Sequence, residues 1–179
     1  DDIKFTDNTP LDAEDVAFTY NEAKKNNLIE YIISCVDIDA DYFVTKEIME
    51  KISDQKSISY NIAVINFMPE DTINGNVLIL DNLQDPGNLG TIIRSGVAFN
   101  IDTIVLSDDS VDLYNPKEVR ATEGMLFNLN IIRRNLNEFL PVLKNLGYKI
   151  IGTDVNKGTD IRNISNANHF FSKFFIFII

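Results

Sequence analysis

The chain has 179 residues, 45% of them hydrophobic and 24% charged, which suffices to bury the core of one domain, with or without a small appendage. Cys35 is the single cysteine, which excludes an intramolecular disulfide and a cysteine zinc cluster and reads as a buried, inert thiol in a reducing compartment. A net charge of -11 argues against a simple nucleic-acid binder, because phosphate contacts need Lys and Arg.

That acidity is uneven. Residues 1–75 hold 6 Lys and Arg against 16 Asp and Glu, whereas residues 76–179 hold 10 against 11. A near-neutral half leaves room for a local basic patch, with Lys117, Arg120, Arg133 and Arg134 as its candidates, or else for an ordinary solvated surface. Neither a basic leader nor a long apolar stretch follows Asp1, so the expected location is the cytoplasm.

In chain order, the pattern predicts a helix over 13–25, an apolar stretch over Leu28–Val36, a helix over Lys46–Lys51 and a strand over 61–67 (NIAVINF). The polar connector PEDTING, 69–75, marks a boundary. Beyond it, β-branched runs alternate with helix-length amphipathic segments, the signature of an α/β fold. NVLILD (76–81) is a buried strand, and a helix starting near Leu89 carries Ile92, Ile93, Val97 and Ala98 on one face. DTIVLS (102–107) is the next strand, PKEVRATEGML the next helix with Pro116 in its first turn, and NLNIIR (128–133) a third strand. Asn135 caps the following helix, Pro141 kinks it, and Gly147 stops it before the strand YKIIGTD (148–154).

Crossovers of this length force parallel pairing, and a parallel sheet needs helices on both faces. The expected architecture is therefore an open, mostly parallel α/β sheet preceded by a partial α+β domain. Ligands of such sheets sit at the carboxyl ends of strands, which puts the loops after Asp81, Ser107 and Thr153 on the functional edge.

Asp85, Pro86, Gly87, Asn88 and Gly90 form a dense turn between a strand and a helix, with Arg94 one helical turn past Gly90. Gly90 permits another backbone to approach, exposed amides at the helix start suit an anion, and Arg94 could point back toward the loop to share it. The plainer reading is that Asp85 caps the helix and Arg94 pairs with a nearby carboxylate. Neither G-x-G-x-x-G nor a P-loop is present.

The run DNLQDPGNLGTIIR, 81–94, resembles the first signature motif of the SpoU family of RNA ribose methyltransferases, in the knotted SPOUT superfamily. The similarity continues through AFNIDTIVLSDDSVDLYNPKEVRATEGMLFNLNII, and upstream FVTKEIMEKISDQKSISYNIAVI resembles the end of the family's RNA-binding domain. Altogether it covers about residues 27–179, giving expected domains of 27–75 (partial RNA-binding domain and linker) and 76–179 (methyltransferase domain). The resemblance implies that Asn88 and Arg94 are the catalytic-site residues. It also implies that Asp85, Pro86 and Gly90 shape the substrate loop and that S-adenosylmethionine binds on the edge where Thr153 lies; of the basic-patch candidates, Lys117 and Arg120 are taken as substrate contacts. The implied reaction moves a methyl group to a ribose 2'-hydroxyl of tRNA or rRNA, in an enzyme that pairs as a homodimer. The general base stays open; His169, the sole histidine, lies outside the motif and reads as structural.

The chain also departs from the family. Its Gly-x-Glu-Gly loop and its Ile-Pro-Met and Ser-Leu-Asn segment, which forms the knot, are not found, and SKFFIFII (172–179) resembles the strand leading into that loop. The expectation is a truncated, inactive methyltransferase whose last strand invites aggregation, the alternative a non-catalytic RNA-binding remnant. Residues 2–25 resemble a short piece of the oligopeptide-binding proteins of ABC transporters, so 1–26 reads as an extraneous segment; a peptide-binding component is the third and weakest reading.

Overall fold

The apolar stretch at 28–36 is a strand, β1 (Ile29–Ser34), in a sheet ordered β2-β1-β3: it runs parallel to β2 (Tyr42–Phe43) and antiparallel to β3 (Asn61–Ile65). Between β2 and β3, helix α1 (Lys46–Ile52) starts where the Thr45 hydroxyl accepts the Ile48 N–H, and it buries Met49. In this computed structural model the described residues are 21–53, 59–153, 158 and 160, together with the backbone of strand 174–178. The expected helix 13–25 is described only at 21–25, where it is helical. Cys35 is half-buried and not fully enclosed as expected, because it stands just past β1 where the chain bends away.

The chain divides into two compact units, Asp1–Pro69 and Glu70–Ile179. The second is built from β4 (Val77–Leu80), α2 (Pro86–Ala98), β5 (Thr103–Leu106), α3 (Pro116–Ala121), a 3-10 turn (Met125–Asn128), β6 (Asn130–Arg133), α4 (Leu136–Asn145), β7 (Lys149–Ile151) and β8 (Phe174–Ile178). Its five strands lie in the order β6-β5-β4-β8-β7, every pair parallel. All four residues of β4 and of β5 are buried, as a sheet covered on both faces requires. Val77, Ile79, Val105 and Ile132 pack with Leu143 of α4 and with Tyr148. On the other face, Gly96 of α2 lies beside Ile104 and Leu129.

Going outward from β4, the chain first builds β5 and β6 on one side and then crosses to place β7 and β8 on the other. The direction of winding reverses between β4 and β8, and an open parallel sheet forms its ligand crevice at such a reversal.

Local chemistry moved several element bounds. Helix α2 begins at Pro86, three residues before the expected start, because Asp85 caps it and Pro86 fits a first helical position. Helix α3 stops at Ala121: Glu123 (φ 50) and Gly124 (φ 78) turn left-handed, which no α-helix continues. The 3-10 turn that follows delays β6 to Asn130. Helix α4 runs through Pro141 to Asn145, and β7 spans three residues where seven were expected.

Candidate active site at the Asp85 loop

The turn between β4 and α2 is fixed from both sides. Asp85 is extended (φ -91, ψ 118), and its Oδ1 accepts the Asn88 N–H at 2.9 Å, giving the capped start that Asp before Pro favours. Upstream, Asn82 is left-handed (φ 52), and its N–H donates to Ser107 Oγ at 2.8 Å. The Leu83 N–H donates to Ser110 Oγ at 3.2 Å, and Gln84 Nε2 reaches the carbonyl of Asp109 at 2.7 Å. Asn88 is left exposed on the first turn of α2.

Gly90 is where α2 meets α3. A Cβ added there would fall 2.5 Å from the Ala121 Cβ and 2.9 Å from its carbonyl oxygen, so only glycine allows this approach. One turn further along α2, Arg94 Nη1 donates to Glu123 Oε1, the two side chains being 40% and 34% exposed. Arg94 therefore answers a carboxylate on the turn after α3 rather than reaching back to the loop, as the plainer sequence reading expected.

Glu118 sits on α3 three residues before Ala121, fully buried, and neither carboxyl oxygen has a hydrogen-bond partner. Burial, and secondarily the negative charge of Asp85, push its carboxyl up to about 7, with Lys117 opposing. Nothing in the local pattern singles out this group, because a glutamate on a short polar helix reads as solvated.

The basic residues separate into two kinds. Lys117 and Arg120 are exposed on α3, where a substrate could meet them. Arg133 is not part of a basic surface: its Nη1 donates to the carbonyls of Ser107, Asp108 and Ser110, and its Nη2 to that of Val111. Arg134 is also engaged, donating to Glu70 Oε2 at 2.7 Å. Thr153 is exposed past the end of β7, the edge strand separated from β4 by β8, so the structure does not bring it beside the Asp85 loop. His169 lies outside the described residues. Among the described helices none is long and apolar enough to cross a membrane.

This arrangement, a capped glycine-containing loop leaving β4 and an accessible arginine two turns on, lies within a segment, residues 75–177, that matches the SpoU rRNA Methylase family model. The chain belongs to the SpoU family. It is 33% identical over 131 residues to the 23S rRNA (guanosine(2553)-2'-O)-methyltransferase RlmP of Bacillus subtilis strain 168, a match covering 72% of this chain and 52% of that protein. It is 35% identical over 89 residues to a putative TrmH family tRNA/rRNA methyltransferase of Staphylococcus aureus strain COL, covering 49% of this chain and 36% of that one. The chain thus spans about half or less of the relatives it matches.

The fold has solved counterparts. An rRNA methyltransferase from Sinorhizobium meliloti superposes with a TM-score of 0.75 at 20% identity, over 90% of this chain and 68% of that one. The SpoU methyltransferase AviRb from Streptomyces viridochromogenes, solved with AdoMet, gives 0.71 at 18%, over 89% and 69%.

Proposed function

We propose that this chain serves RNA 2'-O-ribose methylation, with Asn88 and Arg94 as the residues that meet the target nucleotide. The observation that carries the reading is the accessible Arg94 guanidinium on a helix whose capped first turn exposes Asn88, inside the SpoU-matching segment. A ribose hydroxyl is a poor nucleophile near neutral pH, so it must be aligned with the methyl donor and relieved of its proton. Arg94 stays protonated and cannot take that proton. Its role is to hold the adjacent phosphate and to stabilise the developing alkoxide. Lys117 and Arg120 add cationic contacts, and Asp85, Pro86 and Gly90 hold the loop in shape.

S-adenosylmethionine, present in the AviRb structure, is the methyl source this reading requires. The fit is partial. Gly152 and Thr153 at the end of β7 are exposed, and among the described residues a Cβ on Gly152 would touch nothing within 4 Å, so the described part of this edge is open. We therefore expect the chain by itself to bind the cofactor weakly and to be inactive; calorimetric titration giving micromolar affinity would contradict this. The open edge favours a second reading, an RNA-binding module of the same fold without the chemistry.

Residues 27–75 are assigned to RNA contact on the resemblance of FVTKEIMEKISDQKSISYNIAVI, 43–65, to the end of the family's RNA-binding domain. The site of action is the cytoplasm, and the RNA is ribosomal, the class named for that relative. The test is binding of a 23S rRNA hairpin bearing the guanosine of that name, followed by fluorescence anisotropy. Arg94→Ala is expected to weaken it about tenfold, the loss of one charge-assisted phosphate contact. Unchanged affinity would remove Arg94 from the site.

A further inference from the structure

Arg133 ends β6, and its side chain crosses the carboxyl end of the neighbouring strand β5 to gather the loop that follows. Its Nη1 lies 2.8, 3.0 and 2.9 Å from the carbonyls of Ser107, Asp108 and Ser110, and its Nη2 lies 2.7 Å from that of Val111. Four carbonyls of one five-residue loop thus converge on a single guanidinium. A carbonyl cluster of this kind is self-repelling, and a planar fork with several N–H groups is the side chain suited to hold it.

The loop so gathered is the one that grips the Asp85 turn. The Ser107 and Ser110 hydroxyls, 2.9 Å apart, accept the Asn82 and Leu83 amides, and the Val111 amide donates back to the Leu83 carbonyl at 2.8 Å. Gln84 adds its bond to the Asp109 carbonyl. Residues 82–84 are therefore fastened to residues 107–111 at four points, and Asp85, which caps α2, is the next residue in the chain. None of these bonds involves Asn88 or Arg94.

We propose that Arg133 is a positioning residue for the Asn88 and Arg94 site, acting through the 107–111 loop and the Ser107 and Ser110 hydroxyls. The proposal rests on the RNA-methylation reading for what the site does, but the mechanical linkage is separate from it. Without the guanidinium, the carbonyls turn toward water, the serine hydroxyls lose their fixed places, and the left-handed Asn82 turn is no longer imposed. A lysine reaches part of the cluster with one ammonium and cannot span Ser107 to Val111 as a fork does.

The test is amide hydrogen exchange of the full chain, read residue by residue, for Arg133→Met and Arg133→Lys. With Met, exchange at Asn82, Leu83 and Val111 is expected to accelerate at least tenfold, while Ile79 and Ile104 in the strands keep their rates. Lys is expected to fall between Met and the parent. Affinity for the 23S rRNA hairpin should drop several-fold with Met and be partly restored with Lys. Should Arg133→Met fail to fold, Ser110→Ala removes the acceptor of the Leu83 amide together with the hydroxyl that pairs with Ser107, and acceleration confined to the 82–85 segment is then expected. Parental exchange at Asn82 and Leu83 in a folded Met variant, or in Ser110→Ala, overturns the proposal. So does a Lys variant indistinguishable from Met. If exchange changes as expected while Arg94→Ala leaves hairpin affinity untouched, the linkage stands and the RNA reading is what fails.

Discussion

Gly90 and Ala121 touch at the crossing of α2 and α3, with a space at Gly90 too small for a methyl group. Ala121 meets it with backbone atoms as well as its Cβ, so rotation of a side chain cannot relieve the clash. Gly90→Ala is therefore expected to destabilise the chain by about 2–3 kcal/mol, the upper range for overpacking. Urea unfolding checks it, with Gly96→Ala on the same helix as the control: there the nearest atom is a Leu129 side-chain carbon at 3.4 Å, an ordinary van der Waals contact.

Glu118 makes stability depend on pH. Its carboxyl is raised from 4.5 to about 7 in the folded chain, so the folded state holds a proton that the unfolded state releases earlier. The neutral form is fully tolerated below pH 4.5; stability then falls as pH rises through about 7 and levels off above it. Glu118→Gln removes this slope. Compared with the parent it should be nearly equal at pH 4.5 and more stable at pH 8 by roughly 1–3 kcal/mol, the upper figure being the full shift converted to energy. Equal stability differences at both pH values would show that Glu118 ionises normally.

Asp85 contributes both a cap and a charge, and the two can be separated. Asp85→Asn keeps an oxygen for the Asn88 amide and should cost little, whereas Asp85→Ala should cost about 1 kcal/mol. Both remove the negative charge beside Glu118. The midpoint of the Glu118 titration, followed by carboxyl NMR, should therefore move down in both variants, leaving burial as the remaining cause.

The Arg94 and Glu123 pair tests function against structure. With both side chains more than a third exposed, Glu123→Gln should change stability by less than about 1 kcal/mol. If Arg94 meets phosphate, the same variant frees its Nη1 and should tighten hairpin binding, opposite in sign to Arg94→Ala. Weakening by both variants would mean that Glu123 holds Arg94 in place.

The five strands of the second unit and the capped helix behind DPGNLG were legible because each is a local matter. Buried parallel strands need unbroken apolar runs such as VLIL and TIVL, and Asp before Pro is a helix start whatever surrounds it. The bounds that slipped were set by single residues: the Asp85 cap starts α2 at Pro86, three residues before the expected Leu89. Gly124 reads as one more residue of a helix until its left-handed turn ends it, and β2 is too short to show any period.

By itself the sequence determined the parallel α/β class, the alternation of strands and helices and the loop-to-helix motif that carries Asn88 and Arg94, because hydrophobic period, capping and motif spacing are properties of neighbours in the chain. Only the tertiary structure decided what those residues face. It showed that β8 lies between β4 and β7, that Arg133 serves a cluster of carbonyls and not an open basic surface, and that Glu118 is buried without a partner. Each of these joins positions remote in the chain, and strand order and burial settle such meetings where local pattern cannot.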